Sequence, residues 1–175
     1  MKDEIKIVRA TSEDATLIAE LGEKTFWESH GNSAEKKHVQ NFIDNVYNPT
    51  AQRKELLDKL NEVYIIYCNN QPAGFSKIIF NSPHEIISGK INTTKFDRIY
   101  ILKEFYGQGI GKALFDFNVD LAKKNQQTGL WLFVWVENKR AVRFYETCGF
   151  EKIGVHEYRL SPTHTNPNHI MYLEF

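Results

Sequence analysis

Three glycines at alternate positions, Gly107, Gly109 and Gly111, stand in the segment Tyr-Gly-Gln-Gly-Ile-Gly-Lys at 106–112. Before it lies an apolar, strand-like run, and after it Ile110, Ala113, Leu114, Phe117 and Leu121 repeat at helical offsets of three and four. Where a strand passes into a helix, the first helical N–H groups lack an intrahelical acceptor and carry the positive end of the helix dipole. Glycine lets an anion come within hydrogen-bond distance of that main chain and permits φ values that a Cβ would forbid. The pattern predicts a backbone anion site on the amides of Gln108, Gly109, Ile110, Gly111 and Lys112. Lys112 could add a point charge.

Three familiar phosphate loops are spelled differently. A P-loop needs glycine where this chain has Tyr106 and a hydroxyl residue where it has Ala113. A dinucleotide fingerprint begun at Gly107 would need Gly or Ala at Lys112. A kinase glycine loop lacks its Val-Ala-Ile-Lys and His-Arg-Asp partners downstream. Taken alone, three close glycines could equally form a tight strand-to-helix turn.

The elements around the loop follow from hydrophobic period. Residues 5–10 alternate like a half-buried strand, and Thr11 with Asp14 offers an N-cap for a helix that Leu17, Ile18 and Leu21 continue toward His30. Two further helices are expected, one through Val39, Phe42, Ile43 and Val46 ending near Pro49, the other over about 50–60. Residues 62–68 and 73–80 read as an antiparallel hairpin turning at Asn69, Asn70 and Gln71. A loop at 82–90, a strand at 91–102, the long helix after the glycines, a buried strand at 130–136 and a helix over 138–148 follow. Two closing strands, 150–160 and 170–175, flank a polar loop at 161–168.

Composition bounds the function. The 175 residues suit one domain with a single substantial core, and 42% are apolar, including twelve Phe, eight Tyr and three Trp. Lys plus Arg and Asp plus Glu are both 22, so no global field draws the chain to nucleic acid or an anionic membrane. Cys68 and Cys148 have neither metal nor disulfide-framework spacing, which points to reduced thiols and a cytoplasmic protein. Residues 1–9 have no apolar core of signal-peptide length, and no apolar run approaches the ~20 residues that span a bilayer. His164 and His169 lack a shared-metal spacing, and no metal is expected.

Ile99-Tyr100-Ile101, then the glycine loop, then Asn-Lys-Arg-Ala-Val-Arg-Phe-Tyr-Glu-Thr-Cys-Gly-Phe at 138–150 together resemble the GNAT acetyltransferase superfamily. The order and spacing of the motifs and the elements upstream extend the resemblance over nearly the whole chain. It implies an α/β (α+β) fold: a central, mixed, mostly antiparallel seven-stranded sheet flanked by helices. It implies acetyl-CoA as cosubstrate, with the pyrophosphate on Gly107, Gln108, Gly109, Ile110, Gly111 and Lys112. The main chain of Ile99, Tyr100 and Ile101 and the side chain of Asn138 would hold the pantetheine arm, and Tyr145 would be the general acid at the sulfur. Tyr106 departs from the family, which usually has Gln or Arg there, and this puts donor affinity in doubt. Asn138 also suits a helix N-cap.

An amine must shed a proton from an ammonium of pKa about 10.4 before it attacks, so a base or water path is required. Asp97 and Glu137 are the acidic candidates, with solvent-facing structural roles as the alternative. Phe26, Trp27 and Glu28 offer an aromatic wall and a carboxylate suited to an aliphatic cation, although ordinary helix packing would explain them equally well. Thr25-Phe26, Arg98-Ile99-Tyr100-Ile101, the segment 130–138 and Gly154-x-His156 resemble the bacterial spermidine/spermine acetyltransferases. That narrower resemblance implies a polyamine acceptor, which needs carboxylates in the cleft, and Glu28, Asp97 and Glu137 are the candidates for them. A protein N-terminus, a lysine, an amino-sugar antibiotic or a non-catalytic coenzyme A-binding regulator are the other readings. Exposed strand edges toward the C-terminus would allow a homodimer.

Overall fold

The computed structural model describes residues 3–87 and 89–175. Met1 and Lys2 of the amino-terminal segment, and Ser88 of the expected 82–90 loop, lie outside that description.

Strand β1 (Ile5–Arg9) leads through a capping box, in which Thr11 and Asp14 satisfy each other's backbone amides, into helix α1 (Ala15–His30). Helix α2 (Lys36–Val46) and helix α3 (Pro49–Leu57) follow. Asn48 caps α3 by accepting from the Ala51 amide at 2.8 Å, and Pro49 occupies its first turn, where the missing N–H costs nothing. Strands β2 (Asn61–Cys68) and β3 (Gln71–Ile79) turn on Asn69 and Asn70, both at positive φ. Strand β4 (Thr93–Ile101), helix α4 (Ile110–Lys124), strand β5 (Gly129–Trp135), helix α5 (Lys139–Thr147), and strands β6 (Glu151–Ser161) and β7 (His164–Glu174) complete the chain.

The seven strands form one sheet in the order β1-β2-β3-β4-β5-β7-β6, antiparallel throughout except for β4 with β5. The mixed, mostly antiparallel sheet flanked by helices is therefore the architecture expected from the sequence. Because side chains alternate across a strand, each strand feeds both faces. Ile65 and Phe75 pack with Ile18, Leu21, Phe26 and Ile43 of α1 and α2, whereas Ile66 packs with Ile110 and Leu114 of α4. Phe96, Leu130 and Leu132 join Phe115 of α4 and Val142 of α5.

One expectation is overturned. The segment 161–168 is not a loop, since β6 and β7 are joined by Pro162 and Thr163 alone and β7 continues without interruption to Glu174. Asn166 and Asn168 are buried while Thr165 and Pro167 are exposed, so the alternation of a strand is present but its inward face is polar.

The β4–β5 pairing positions everything that follows. It lasts for three residue pairs, Thr93 with Gly129, Thr94 with Leu130 and Lys95 with Trp131. Beyond them β4 pairs only with β3, and β5 only with β7. The sheet splits there, and the free main-chain edge of β4 from Phe96 to Ile101 faces the opening.

Candidate active site

A cleft of about 470 Å³ occupies the split and connects the α1–α2 face of the sheet to the α5 face. Ile99, Tyr100 and Ile101 of β4 line it from one side and Phe133, Val134 and Trp135 of β5 from the other. Tyr106 and Gly111 stand at one mouth, and Phe26, Phe42 and Tyr47 wall the opposite end.

The glycine loop takes the form its spelling predicts. Gly107 and Gly109 have φ of +76° and +79°, and Gly109 is the left-handed residue that turns the chain into α4. A Cβ added at either would meet nothing within 4 Å, so glycine is demanded by the backbone angle and the outer side of the loop is open. The amides of residues 107–112 have no hydrogen-bond partner among the described residues, while Tyr106 donates to Lys103 and Ala113 to Gly109. Unpaired N–H groups on an open loop at a helix start fit an anionic diphosphate. Lys112 does not supply the expected point charge directly, because its ammonium lies 2.6 Å from both Asp116 carboxylate oxygens.

Tyr145 is 8% exposed and lines the cleft from α5. Its hydroxyl has no partner among the described residues and is not among the buried polar atoms left unpaired, so it opens onto the cleft. Burial, with Tyr100 nearby, pushes its pKa above the usual tyrosine range, which keeps the phenol a proton-bearing donor at neutral pH. Asn138 caps α5 by accepting from the Ala141 amide at 3.2 Å and also lines the cleft, leaving its side-chain NH₂ for another partner.

The acidic candidates separate. Asp97 lines the cleft, but its carboxylate lies 2.7 Å from Lys95 Nζ, 3.3 Å from Lys77 Nζ and 3.7 Å from Arg98 Nε. Burial alone would raise its pKa, yet Arg98, Lys95 and Lys77 outweigh it and hold the group at about 2. Such a carboxylate is a structural ion and a poor base near pH 7. Arg98 in turn makes a two-pronged contact with Glu55 of α3 at 2.6 and 3.0 Å. Glu137 is outside the cleft, with an exposed side chain 3.5 Å from Lys139, so neither catalysis nor substrate contact follows from its position. Phe26 and Glu28 do line the cleft, whereas Trp27 turns into the packing of α1. Glu28 accepts a hydrogen bond from the Lys103 amide at 2.8 Å.

The residues 23–150 match the family model described as the acetyltransferase (GNAT) family. The chain belongs to the GNAT acetyltransferase family. An uncharacterized N-acetyltransferase from Lactobacillus delbrueckii subsp. lactis, in the pepI 3' region, is 25% identical over 157 residues, covering 89% of this chain and 90% of the relative. Among solved structures, the PaiA N-acetyltransferase of Thermoplasma acidophilum in complex with coenzyme A superposes with a TM-score of 0.78 at 17% identity, covering 98% and 99% of the two chains. A chimera of spermidine N-acetyltransferase SpeG from Vibrio cholerae and hSSAT gives 0.70 at 18% identity, over 97% and 95%. These last two likenesses concern the fold.

Within this GNAT chain, Arg140 and His30 are among the cleft residues that the sequence reading did not single out. Arg140, at the start of α5, stacks its guanidinium 3.1 Å from the centroid of the Tyr106 ring. Both line the cleft mouth, and Arg140 has no ion-pair partner among the described residues. The signal was available in the departure at Tyr106, since an aromatic in place of a cation needs a cation from elsewhere. His30, at the end of α1, lines the cleft as well, although in sequence it marked only a helix end.

Proposed function

We propose that this GNAT enzyme transfers the acetyl group of acetyl-CoA to a primary amine within a ternary complex. The unpaired amides of residues 107–112 carry this reading. They would grip the pyrophosphate, with the Arg140 guanidinium supplying the charge that Tyr106 cannot. The open edge of β4 at Ile99, Tyr100 and Ile101 and the free NH₂ of Asn138 would hold the pantetheine arm. Bound acetyl-CoA supplies the acetyl group as a thioester. Tyr145 would then hydrogen-bond the departing sulfur. Its raised pKa favours hydrogen-bond donation over complete proton transfer to a thiolate of pKa near 8.5.

The acceptor reaches the donor from the α1–α2 side. A polyamine such as spermidine or spermine is the acceptor favoured by the narrower sequence resemblance, by the aromatic walls of Phe26, Phe42 and Tyr47, and by Glu28 in the cleft. The charge of the cleft favours a second reading. Asp97 is already shared among three cations and Arg98 is paired with Glu55, which leaves Glu28 as the cleft carboxylate without a basic partner among the described residues, too little negative charge for a polycation. An amine with a neutral or anionic tail, such as a peptide α-amine, would meet less repulsion there than a polycation.

We further place the enzyme in the cytoplasm as one acetyltransferase domain. Cys68 and Cys148 are free thiols, and no helix among the described residues is long and apolar enough to cross a membrane. The edge strand β6 would be the surface of a homodimer.

Mass spectrometry of products after incubation with acetyl-CoA, spermidine, a monoamine and a short peptide tests donor and acceptor together. A mass gain of one acetyl group on an amine is expected, and an unmodified panel would count against the proposal. Tyr145→Phe should keep coenzyme A affinity within about twofold while kcat falls about tenfold or more.

A further inference from the structure

Ser29 and His30 together leave an imidazole lone pair facing the cleft. Ser29 Oγ lies 2.7 Å from the Thr25 carbonyl oxygen and 2.7 Å from His30 Nδ1. A carbonyl oxygen only accepts, so the single hydroxyl proton of Ser29 must go to Thr25. The oxygen then has only lone pairs to offer His30, which fixes the proton of a neutral imidazole on Nδ1. The other ring nitrogen, Nε2, has no hydrogen-bond partner among the described residues and is not one of the buried polar atoms left unpaired. Because His30 lines the cleft, Nε2 presents its lone pair there.

The ring is held by packing as well as by Ser29. Phe26 stacks on it at 4.6 Å between centroids, Trp135 of β5 lies 5.8 Å away, and Tyr100 of β4 meets it edge-on at 6.5 Å. Tyr100 is the titratable group among these three, and burial keeps it protonated. The charged side chains that share the cleft are Glu28 of α1, Lys95, Asp97 and Arg98 of β4, and Arg140 of α5. Burial lowers the His30 pKa to about 4, so no imidazolium competes with an incoming amine near neutrality.

We propose that His30 Nε2 accepts a hydrogen bond from the acceptor amine and orients its nitrogen toward the thioester, with Ser29 as the positioning residue that fixes the tautomer. The inference rests on the amine-acetylation reading above. An acceptor aimed at one N–H also gives the cleft a contact that selects for an amine. A hydrogen-bonding site discriminates through the polar group it would otherwise leave unpaired.

Three variants and one spectrum test it. His30→Phe keeps an aromatic ring in the stack and removes the lone pair, while His30→Gln places an amide oxygen near the position of Nε2. His30→Phe should lower kcat/KM for the amine about 10- to 100-fold with coenzyme A affinity unchanged, and His30→Gln should recover part of that loss. Ser29→Ala should give a smaller loss. Retention of kcat/KM in His30→Phe, or an equal fall of amine turnover and coenzyme A affinity in both His30 variants, would overturn the inference. Nitrogen-15 NMR of histidine-labelled enzyme provides a readout independent of turnover. It should find His30 neutral at pH 7 as the Nδ1–H tautomer, with an Nε2 resonance that moves on addition of spermidine or the peptide amine. An Nε2–H tautomer, or a resonance that neither amine shifts, would sink the proposal whether or not the enzyme turns over, whereas failure of wild-type turnover alone bears on the proposed activity.

Discussion

Replacing Gly109 by alanine separates the two things its glycine does. At φ +79° a side chain pays the left-handed penalty of about 1–2 kcal/mol. An added Cβ meets nothing within 4 Å, so no packing cost is expected beyond that strain. For a chain of this size the strain corresponds to a fall of about 2–8 °C in Tm. Donor binding should suffer separately, because the methyl group would take up open space beside the loop that the diphosphate needs. Loss of one hydrogen bond to a charged group is worth about 1.5–3 kcal/mol, or about 10- to 150-fold in Kd for coenzyme A. Gly89→Ala is the matched control, with φ +74° and equally empty surroundings but a place in the 82–90 loop away from the cleft. Calorimetric titration of coenzyme A beside thermal denaturation should give similar Tm losses for both variants and an affinity loss for Gly109→Ala alone. Equal coenzyme A affinity in the two variants would refute the assignment of the loop to the pyrophosphate.

Other perturbations reach different parts of the account. Arg140→Gln should weaken coenzyme A about 3- to 10-fold and flatten the salt dependence of binding, while turnover of acetyl-pantetheine, which has no pyrophosphate, stays level; parallel losses with both donors would make the Tyr106–Arg140 stack purely structural. Asp97 has a folded pKa of about 2, below its ordinary 3.8, so the stability it contributes is present above pH about 4 and is lost as pH falls toward 2. The shift corresponds to about 2 kcal/mol, and denaturant titrations from pH 7 to pH 2 should find that component in the wild type and not in Asp97→Asn. Gly74→Ala should unfold the chain or lower Tm far more than Gly109→Ala, because its Cβ would overlap the Tyr100 carbonyl oxygen across the β3–β4 pairing.

What could be read from the sequence was what local chemistry decides. Gly107 and Gly109 announce positive φ, Thr11 and Asp14 announce a capping box, and the apolar period places α1, α2 and α4 within a few residues. The start of β7 was hidden because its inward positions carry Asn166 and Asn168, so a strand with a polar buried face resembled a loop. The roles of Asp97 and Glu137 depended on partners that spacing does not reveal. Lys77 of the neighbouring strand neutralises Asp97, and Glu55 of α3 anchors Arg98, whereas Glu137 falls just beyond β5 on an exposed turn. Tyr106 signalled the need for a cation, but which cation answers it depends on α5 lying beside the loop, where Arg140 stacks on the ring. His30 required both the Ser29 hydrogen bond and the end-on view of the split sheet.

A crystal structure of the protein soaked with coenzyme A tests the central assignment most directly. The diphosphate should lie on the amides of residues 107–112 with Arg140 beside it, the pantetheine arm along Ile99, Tyr100 and Ile101, and the sulfur within hydrogen-bond reach of the Tyr145 hydroxyl. Density for the diphosphate elsewhere on the chain, or a sulfur remote from Tyr145, would contradict the account.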